Sequence, residues 1–317
     1  MTDKFSFCQH NISSVEYYDG DYIDKKNRFI SSDNTLRDLK TYINNQDIKY
    51  DLYTLQEVEH YENNEGDINI NGIKYGYVYN RTGATNYLIN NGGRLSNNYK
   101  KIEHGCMVVY DTNRFEYIKD YSTYEYEELK YRSSPWLLLK DKKTGEKYIV
   151  ISIHGLIPSP LTKSKSKRIK NLYNSIITAI QGFCKVDKDN NYSFIIGTDL
   201  NINIYNPDLD YYDSKKESIK KDMKKYMRNF LKSLKKYNIG YDLNRDIYTT
   251  YSGEDDDVFY DCIDFIFKSK FLNTYEVTYG NNHIGSRASW GEVNELESDF
   301  EHTSIQCIMS IDDYYVL

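Results

Sequence analysis

Hydrophobic and polar residues alternate in several short segments of the chain, and a period of two residues predicts β-strands. The segment KFSFCQHNIS at residues 4–13 alternates in this way, and YDLYTLQEV, GCMVVYD, WLLLKD, KYIVISIH and YSFIIG are further apolar runs of strand length. Between WLLLKD and KYIVISIH, the turn sequence DKKTGEK predicts a hairpin through Gly145.

Three other segments place apolar residues at the spacing of an amphipathic helix. SSDNTLRDLKTYINN opens on serine and aspartate caps, SKRIKNLYNSIITAIQGF is predicted to end near Gly182, and residues 214–240 form a lysine-rich helix. The apolar face of that last helix is predicted to be Ile219, Met223, Met227, Phe230, Leu231 and Leu234. Its lysines are interpreted as a solvated face. Strands interleaved with helices, without a repeat or linker, predict one mixed α/β domain over residues 1–317.

Composition narrows the class of protein. The apolar runs are too short to span a membrane and the first residues lack a secretory signal, so we expect an intracellular, cytoplasmic protein. We also expect a monomer. The formal net charge of -6 provides no global basic field for nucleic acid, although a locally basic groove is sufficient for phosphate binding. Residues 162–170, TKSKSKRIK, could contact phosphate or form a solvated loop. The five scattered cysteines are interpreted as reduced core residues rather than a zinc site.

Polar side chains are concentrated where the predicted strands end. Strand ends on one edge of a layered α/β fold converge on a common crevice, and carboxylates and amides gathered there suit Mg²⁺ or Mn²⁺ better than zinc. The residues concerned are Asn11, Glu57, His154, Asp199, Asn201, Asp264, Asp299 and His302. Each of them has an ordinary structural explanation, such as an Asx turn or an exposed strand terminus.

Eight short motifs along the chain resemble, in order, those of the endonuclease/exonuclease/phosphatase superfamily, which has the deoxyribonuclease I-like fold. The motifs are HNIS, LQEV, EHGCMVVYD, YRSSPW, SIHG, GTDLN, IDFIF and SDFEH, and together they span nearly the whole chain. The resemblance implies a four-layer α/β sandwich, in which two packed mixed β-sheets are flanked by helices. It also implies Mg²⁺-dependent cleavage of phosphoester bonds.

The resemblance further implies a role for each matching residue. Glu57 resembles the carboxylate that ligates the metal, and Asn11 its amide neighbour. Asp199 and Asn201 resemble the pair that orients the attacking water and the scissile phosphate. His154 resembles the second histidine of the two-histidine branches. In the same way, Glu103 resembles the acid that holds this histidine, and Asp264 the partner that orients the terminal histidine.

The chain departs from the family pattern in two places. Thr198 stands where the family commonly has glycine before the aspartate, which is a small change. The terminal motif matters more, because ESDFEHTSI without a gap aligns Phe300 with the catalytic histidine and leaves His302 two positions late. A two-residue slide keeps the same strand face but moves a side chain by about 6.6 Å. Our hypothesis is that a longer loop or a bulge brings His302 back to Asp264, with Asp299 facing the metal.

These observations predict a Mg²⁺- or Mn²⁺-dependent phosphodiesterase, and a nuclease acting on DNA or RNA is the leading hypothesis. Hydrolysis of a phosphoinositide or sphingomyelin head group is an alternative within the same fold. The sequence lacks an evident membrane-docking stretch rich in Trp and Phe, which argues against that alternative. A third hypothesis from another class is a catalytically inactive member of the family that binds nucleic acid or a protein.

Overall fold

The computed structural model of the 317-residue chain describes thirteen segments, and all structural statements below refer to them. These are residues 4–12, 39–46, 48–59, 65–81, 104–121, 134–156, 162–186, 192–202, 217–241, 250–252, 259–261, 263–279 and 305–311. None of the helices in these segments is long and apolar enough to cross a membrane.

The first sheet has seven strands. In spatial order they are β14 (Leu272–Tyr279), β15 (Ile305–Ile311), β1 (Phe5–Asn11), β2 (Leu52–Glu59), β5 (His104–Asp111), β4 (Ile73–Arg81) and β3 (Glu65–Ile70). The central pair β1 and β2 is parallel, whereas the other neighbours are antiparallel. The helix α1 (Leu39–Asn45) covers its outer face, where Tyr42 and Ile43 are buried.

The second sheet has six strands. In spatial order they are β10 (Ile239–Tyr241), β13 (Asp264–Ser269), β9 (Ser193–Asp199), β8 (Lys147–His154), β7 (Trp136–Asp141) and β6 (Phe115–Asp120). The pair β8 and β9 is parallel and the others are antiparallel. Two long helices, α2 (Lys163–Val186) and α3 (Glu217–Lys236), pack on its outer face. The short strands β11 (Thr250–Ser252) and β12 (Phe259–Asp261) pair with each other in a separate two-stranded sheet.

Three buried clusters hold these layers together. The cluster between the two sheets includes Phe5, Val108, Leu139, Val150 and Ile266. The other two clusters lie outside the sheets, one beneath α1 and one beneath α2 and α3. The order of layers is therefore helix, sheet, sheet, helix, which confirms the predicted four-layer α/β sandwich with two mixed sheets.

Most predicted elements are confirmed, and each difference has a physical cause. The β3–β4 hairpin was absent from the predicted order of elements, although Asn71 and Gly72 mark its turn through positive φ values of 50° and 84°. The second helix continues past Gly182 to Val186, because packing against the sheet outweighs the low helix propensity of one glycine. The hairpin through Gly145, whose φ is 79°, is confirmed.

Four of the cysteines lie in the described segments and all four are free thiols. Cys8, Cys106 and Cys307 are buried, as the sequence predicts, whereas Cys184 is exposed on α2. Burial raises the pKa of the Cys8 thiol to about 12, and its contact with the Tyr42 hydroxyl acts in the opposite direction. Cys8 is therefore a protonated core residue at neutral pH.

Replacing Gly197 of β9 with alanine tests how closely the two sheets approach. A Cβ at this position would lie 1.8 Å from Thr54 Oγ1 and 2.8 Å from Gln9 Cγ, both on the opposite sheet. We expect Gly197→Ala to lower the free energy of unfolding by about 1–3 kcal/mol through overpacking. Urea denaturation measures this change. The control Gly182→Ala meets nothing within 4 Å on exposed helix and should stabilise by about 0.5–1 kcal/mol; equal effects of the two variants would contradict the close approach.

Candidate active site

The faces of the two sheets that meet inside the sandwich change from apolar to polar towards one end. Along β1 this face reads Phe5, Phe7, Gln9 and Asn11, and along β8 it reads Val150, Ser152 and His154. The same transition runs through Leu52, Thr54 and Gln56 on β2, and through Ile195, Gly197 and Asp199 on β9. Alternate residues of a strand share a face, so the polar groups accumulate at one edge of the inner layer.

Strand register places three of the predicted site residues side by side in the second sheet. His154 at the end of β8 pairs with Asp199 at the end of β9, and Asp199 pairs with Asp264 at the start of β13. All three side chains are buried. Neighbouring strands lie about 4.8 Å apart, so this row presents an imidazole followed by two carboxylates at one level of the sheet.

Asn11 and Glu57 reach this row from the first sheet. The Asn11 Nδ2 donates a hydrogen bond of 2.8 Å to Asp199 Oδ2. His154 Nε2 lies 3.4 Å from the same oxygen and 3.7 Å from Glu57 Oε1. A protonated His154 would therefore be held between two carboxylates that belong to different sheets. Glu57 is the more accessible of these acids, with 19% of its side chain exposed against 1% for Asp199.

Glu57 owes its position to a bulge in β2. The register between β2 and β5 shifts between Leu55 and Val58, and Glu57 has a φ of 56°. A left-handed conformation at a residue other than glycine costs about 1–2 kcal/mol, and such strain is concentrated at functional sites. The bulge turns the Glu57 carboxylate towards His154 although Gln56 already occupies the inner face.

Asn201 lies in the turn that follows β9. Its backbone N–H donates to Asp199 Oδ1 at 2.7 Å, and its Nδ2 donates to the Gly155 carbonyl oxygen at 3.3 Å. Its φ of 55° is one that asparagine tolerates better than most residues. These bonds join the loops after β8 and β9 and fix the Asp199 carboxylate, whose two oxygens then contact Asn201 on one side and Asn11 and His154 on the other.

A buried hydrogen-bond network beneath the site was not predicted from the sequence. Gln9 Nε2 lies within hydrogen-bond distance of Gln56 Oε1 at 2.9 Å, the Thr198 carbonyl at 3.2 Å and Asp264 Oδ1 at 3.4 Å. Gln56 Nε2 in turn donates to Ser152 Oγ, which donates to the Leu55 carbonyl. The signal available in the sequence was the pair of polar residues Gln9 and Gln56 within otherwise apolar strands. The network links the two sheets and contacts Asp264 directly.

The described residues fit a magnesium-type ion better than zinc. They include no group of three or more His, Cys, Asp or Glu residues arranged to hold a metal by themselves. Magnesium is usually bound through one or two carboxylates together with water and substrate phosphates. Glu57 and Asn11, which approach the His154–Asp199 pair from the first sheet, supply hard oxygen donors of this kind. A closed zinc site would need four nitrogen or sulfur ligands.

Six of the nine predicted site residues lie in the described segments, and the structure brings these six together: Asn11, Glu57, His154, Asp199, Asn201 and Asp264. Glu103, Asp299 and His302 lie outside the described residues, so their roles stay predictions. The carboxylates found beside His154 within the described segments are Glu57 and Asp199. The sequence placed all three in one crevice, but the acid that it assigned to His154 was Glu103.

The left-handed backbone at Glu57 can be tested by stability alone. Glycine adopts a φ of 56° without strain and alanine does not, so Glu57→Gly should be more stable than Glu57→Ala by about 1 kcal/mol. At Glu116, an exposed residue of β6 without a positive φ, the order should reverse. Urea denaturation of the four variants measures both differences. The same order at the two sites would contradict the assigned conformation.

Comparisons with known proteins support the fold. Neither a family model nor a curated protein matches the sequence. Among solved structures, ANGEL2, a 2′,3′-cyclic phosphatase, in complex with adenosine-2′,3′-vanadate, aligns over 98% of this chain and 96% of its own at a TM-score of 0.60 and 14% identity. TDP2 from Caenorhabditis elegans aligns over 97% of this chain and 74% of its own, at a TM-score of 0.52 and 13% identity. The endonuclease/exonuclease/phosphatase from Bacteroides vulgatus aligns over 98% of this chain and 100% of its own, at a TM-score of 0.52 and 12% identity. The chain therefore has the fold of the endonuclease/exonuclease/phosphatase superfamily.

Proposed function

We propose that the protein is a Mg²⁺- or Mn²⁺-dependent phosphodiesterase. The observation that carries this proposal is the convergence of His154 Nε2 on Asp199 and Glu57, with Asn11 bonded to the same Asp199 carboxylate. These groups come from both sheets and lie at one edge of the inner layer. An imidazole, hard oxygen donors and a fixed carboxylate are the groups that phosphoester hydrolysis requires.

The residues of the candidate site have distinct roles in the proposed reaction. When bound beside Glu57 and Asn11, the metal ion supplies positive charge for the phosphate oxygens. Asp199, fixed by Asn11 and the Asn201 backbone, orients the attacking water. That water forms the new P–O bond and loses a proton to a nearby base, for which we propose His302 oriented by Asp264. A protonated His154 contacts the phosphate and can supply the proton that the leaving oxygen requires.

A nucleic acid is the substrate that we favour. ANGEL2 is a 2′,3′-cyclic phosphatase, and the aligned structure contains adenosine-2′,3′-vanadate, so a neighbour of this fold binds a nucleoside derivative. The basic residues at the start of α2 follow His154 by about ten positions, which is compatible with a polyanionic substrate near the site. We also propose that the protein is a single-domain monomer that acts in the cytoplasm. Panels of plasmid DNA, oligonucleotides, 2′,3′-cyclic nucleotides and inositol phosphates assayed with Mg²⁺ identify the substrate class.

Glu57→Gln tests the metal assignment. The substitution removes one negative charge with little change in volume, so activity at limiting Mg²⁺ should fall and the half-saturating Mg²⁺ concentration should rise. Titrating activity with Mg²⁺ measures both quantities. A variant that cleaves at the wild-type rate at limiting Mg²⁺ would show that Glu57 does not bind the metal. Urea denaturation of the same sample checks that the fold is intact.

His154→Ala is expected to lower turnover by roughly a hundred-fold or more while the protein stays folded. His10 provides a matched control, because it is also a buried histidine but its Nδ1 lies 2.9 Å from the Tyr42 hydroxyl, in contact with α1. His10→Ala should reduce stability and leave the turnover of the folded fraction close to wild type. If His154→Ala instead lost melting temperature and activity in proportion, His154 would be a core histidine.

His302→Ala addresses the unusual terminal motif. If His302 is the terminal catalytic histidine, its removal should lower turnover on a scale similar to that of His154→Ala, and Phe300→Leu should have little effect on turnover. Steady-state kinetics of both variants under saturating Mg²⁺ measure this. A His302→Ala variant as active as wild type would exclude the assignment. Absence of activity in the wild type towards every substrate class would favour an inactive, binding member of the fold.

A further inference from the structure

Basic charge is concentrated in the two long helices that cover the second sheet. Together α2 and α3 contain fourteen Lys and Arg residues and only two acidic residues, Glu217 and Asp222, so their net charge is +12. The formal net charge of the whole chain is -6, which leaves -18 on the remaining residues. An acidic chain therefore has a strongly basic layer on one side of the molecule.

The basic residues of α3 form a single stripe. Side chains three, four and seven residues apart share one face of a helix, and six exposed residues follow this spacing: Lys221, Lys224, Lys225, Arg228, Lys232 and Lys235. We call them the basic stripe. It lies opposite the buried face, which includes Met223, Met227 and Phe230. At 1.5 Å per residue it extends for about 21 Å and faces directly away from the sheet.

The start of α2 extends this basic surface towards the candidate site. The two helices pack side by side, since the Tyr173 and Phe230 rings stack at 4.6 Å and Lys170 Nζ lies 5.2 Å from the centre of the Tyr226 ring. Exposed Lys163, Lys167 and Lys170 occupy its first two turns. Because α2 connects the parallel strands β8 and β9, it begins at the sheet edge where His154 ends β8.

Close like charges raise the energy of this surface in the absence of a counterion. Within the basic stripe, Lys221 and Lys225, Lys224 and Arg228, and Arg228 and Lys232 are all four residues apart, a spacing at which like charges on a helix repel. A polyanion with regularly spaced charges relieves this repulsion and releases condensed counterions on binding. Double-stranded DNA provides about one negative charge per 1.7 Å of its axis, which suits a linear stripe of cations.

We propose that the basic stripe and the first two turns of α2 form a binding surface for the phosphate backbone of nucleic acid, separate from the candidate active site. A membrane surface fits the observations less well. A helix that docks into a bilayer interface needs an exposed apolar face, whereas the apolar face of α3 is buried against the sheet. Within the described segments, the exposed large hydrophobic residues are Ile48, Ile118 and Val277, all outside α2 and α3.

Binding measured in EDTA tests this surface without requiring catalysis. Fluorescence anisotropy with a labelled 20-base-pair DNA duplex and a 20-nucleotide single strand is recorded at several salt concentrations. The test variant reverses four charges of the basic stripe: Lys221→Glu, Lys224→Glu, Lys225→Glu and Arg228→Glu. The matched control reverses four exposed lysines outside α2 and α3: Lys40→Glu, Lys74→Glu, Lys119→Glu and Lys143→Glu. Both variants change the net charge equally.

We expect the test variant to bind the duplex at least about ten-fold more weakly and to reduce the slope of log K against log salt by about 3, while the control keeps the wild-type slope. A glutamine version of the test variant, which neutralises without reversing charge, should give an intermediate loss, and circular dichroism checks folding. The proposal would be overturned if the test and control variants lost affinity equally, or if the wild-type protein bound neither the duplex nor the single strand. It would also be overturned if the wild-type protein bound phosphatidylserine vesicles more tightly than either oligonucleotide. Because no turnover is needed, failure here leaves the proposed phosphodiesterase activity untouched, and the reverse also holds.

Discussion

The hydrogen bond from Asn11 to Asp199 is the contact on which the candidate site depends. It joins the end of β1 in one sheet to the end of β9 in the other, at 2.8 Å between two buried side chains. Leaving either partner unsatisfied in this position would cost about 1–3 kcal/mol, and more for the charged one. The bond therefore fixes how the two sheets are aligned at the edge where His154 meets Glu57 and Asp199.

The layer beneath this bond is built to keep that alignment. Thr54 and Gln9 press against Gly197, where there is no room for a Cβ, so the backbones approach closely just below the site. The Gln9 amide then links Gln56 to Asp264 across the inner layer. Buried polar networks of this kind are directional, unlike apolar packing, and favour one arrangement of the groups that they join. Rigidity at this level keeps the groups of the candidate site in place without reorganisation.

Charge is organised on a larger scale than the site. The carboxylates of the candidate centre face the inner layer, whereas the basic stripe on α3 faces solvent on the opposite side of the second sheet. The same helix thus uses its two faces differently: Met223, Met227 and Phe230 stabilise the sandwich, and the lysines opposite are available to an anionic partner. The start of α2 belongs to the proposed binding surface and follows the sheet edge where His154 ends β8, so it extends that surface towards the candidate site.

Residue order alone determined the main strands, the buried face of α3 and the ordered motifs from HNIS to IDFIF, because each depends on local periodicity and spacing. The β3–β4 hairpin was equally local, and its Asn71–Gly72 turn was a signal that could have been used. Tertiary structure decided the rest. The register of β8, β9 and β13 put His154, Asp199 and Asp264 in one row, and the bulge in β2 turned Glu57 to meet them. Such contacts depend on packing between segments that are far apart in the chain, from 45 residues for His154 and Asp199 to 97 residues for Glu57 and His154, and no local pattern encodes them.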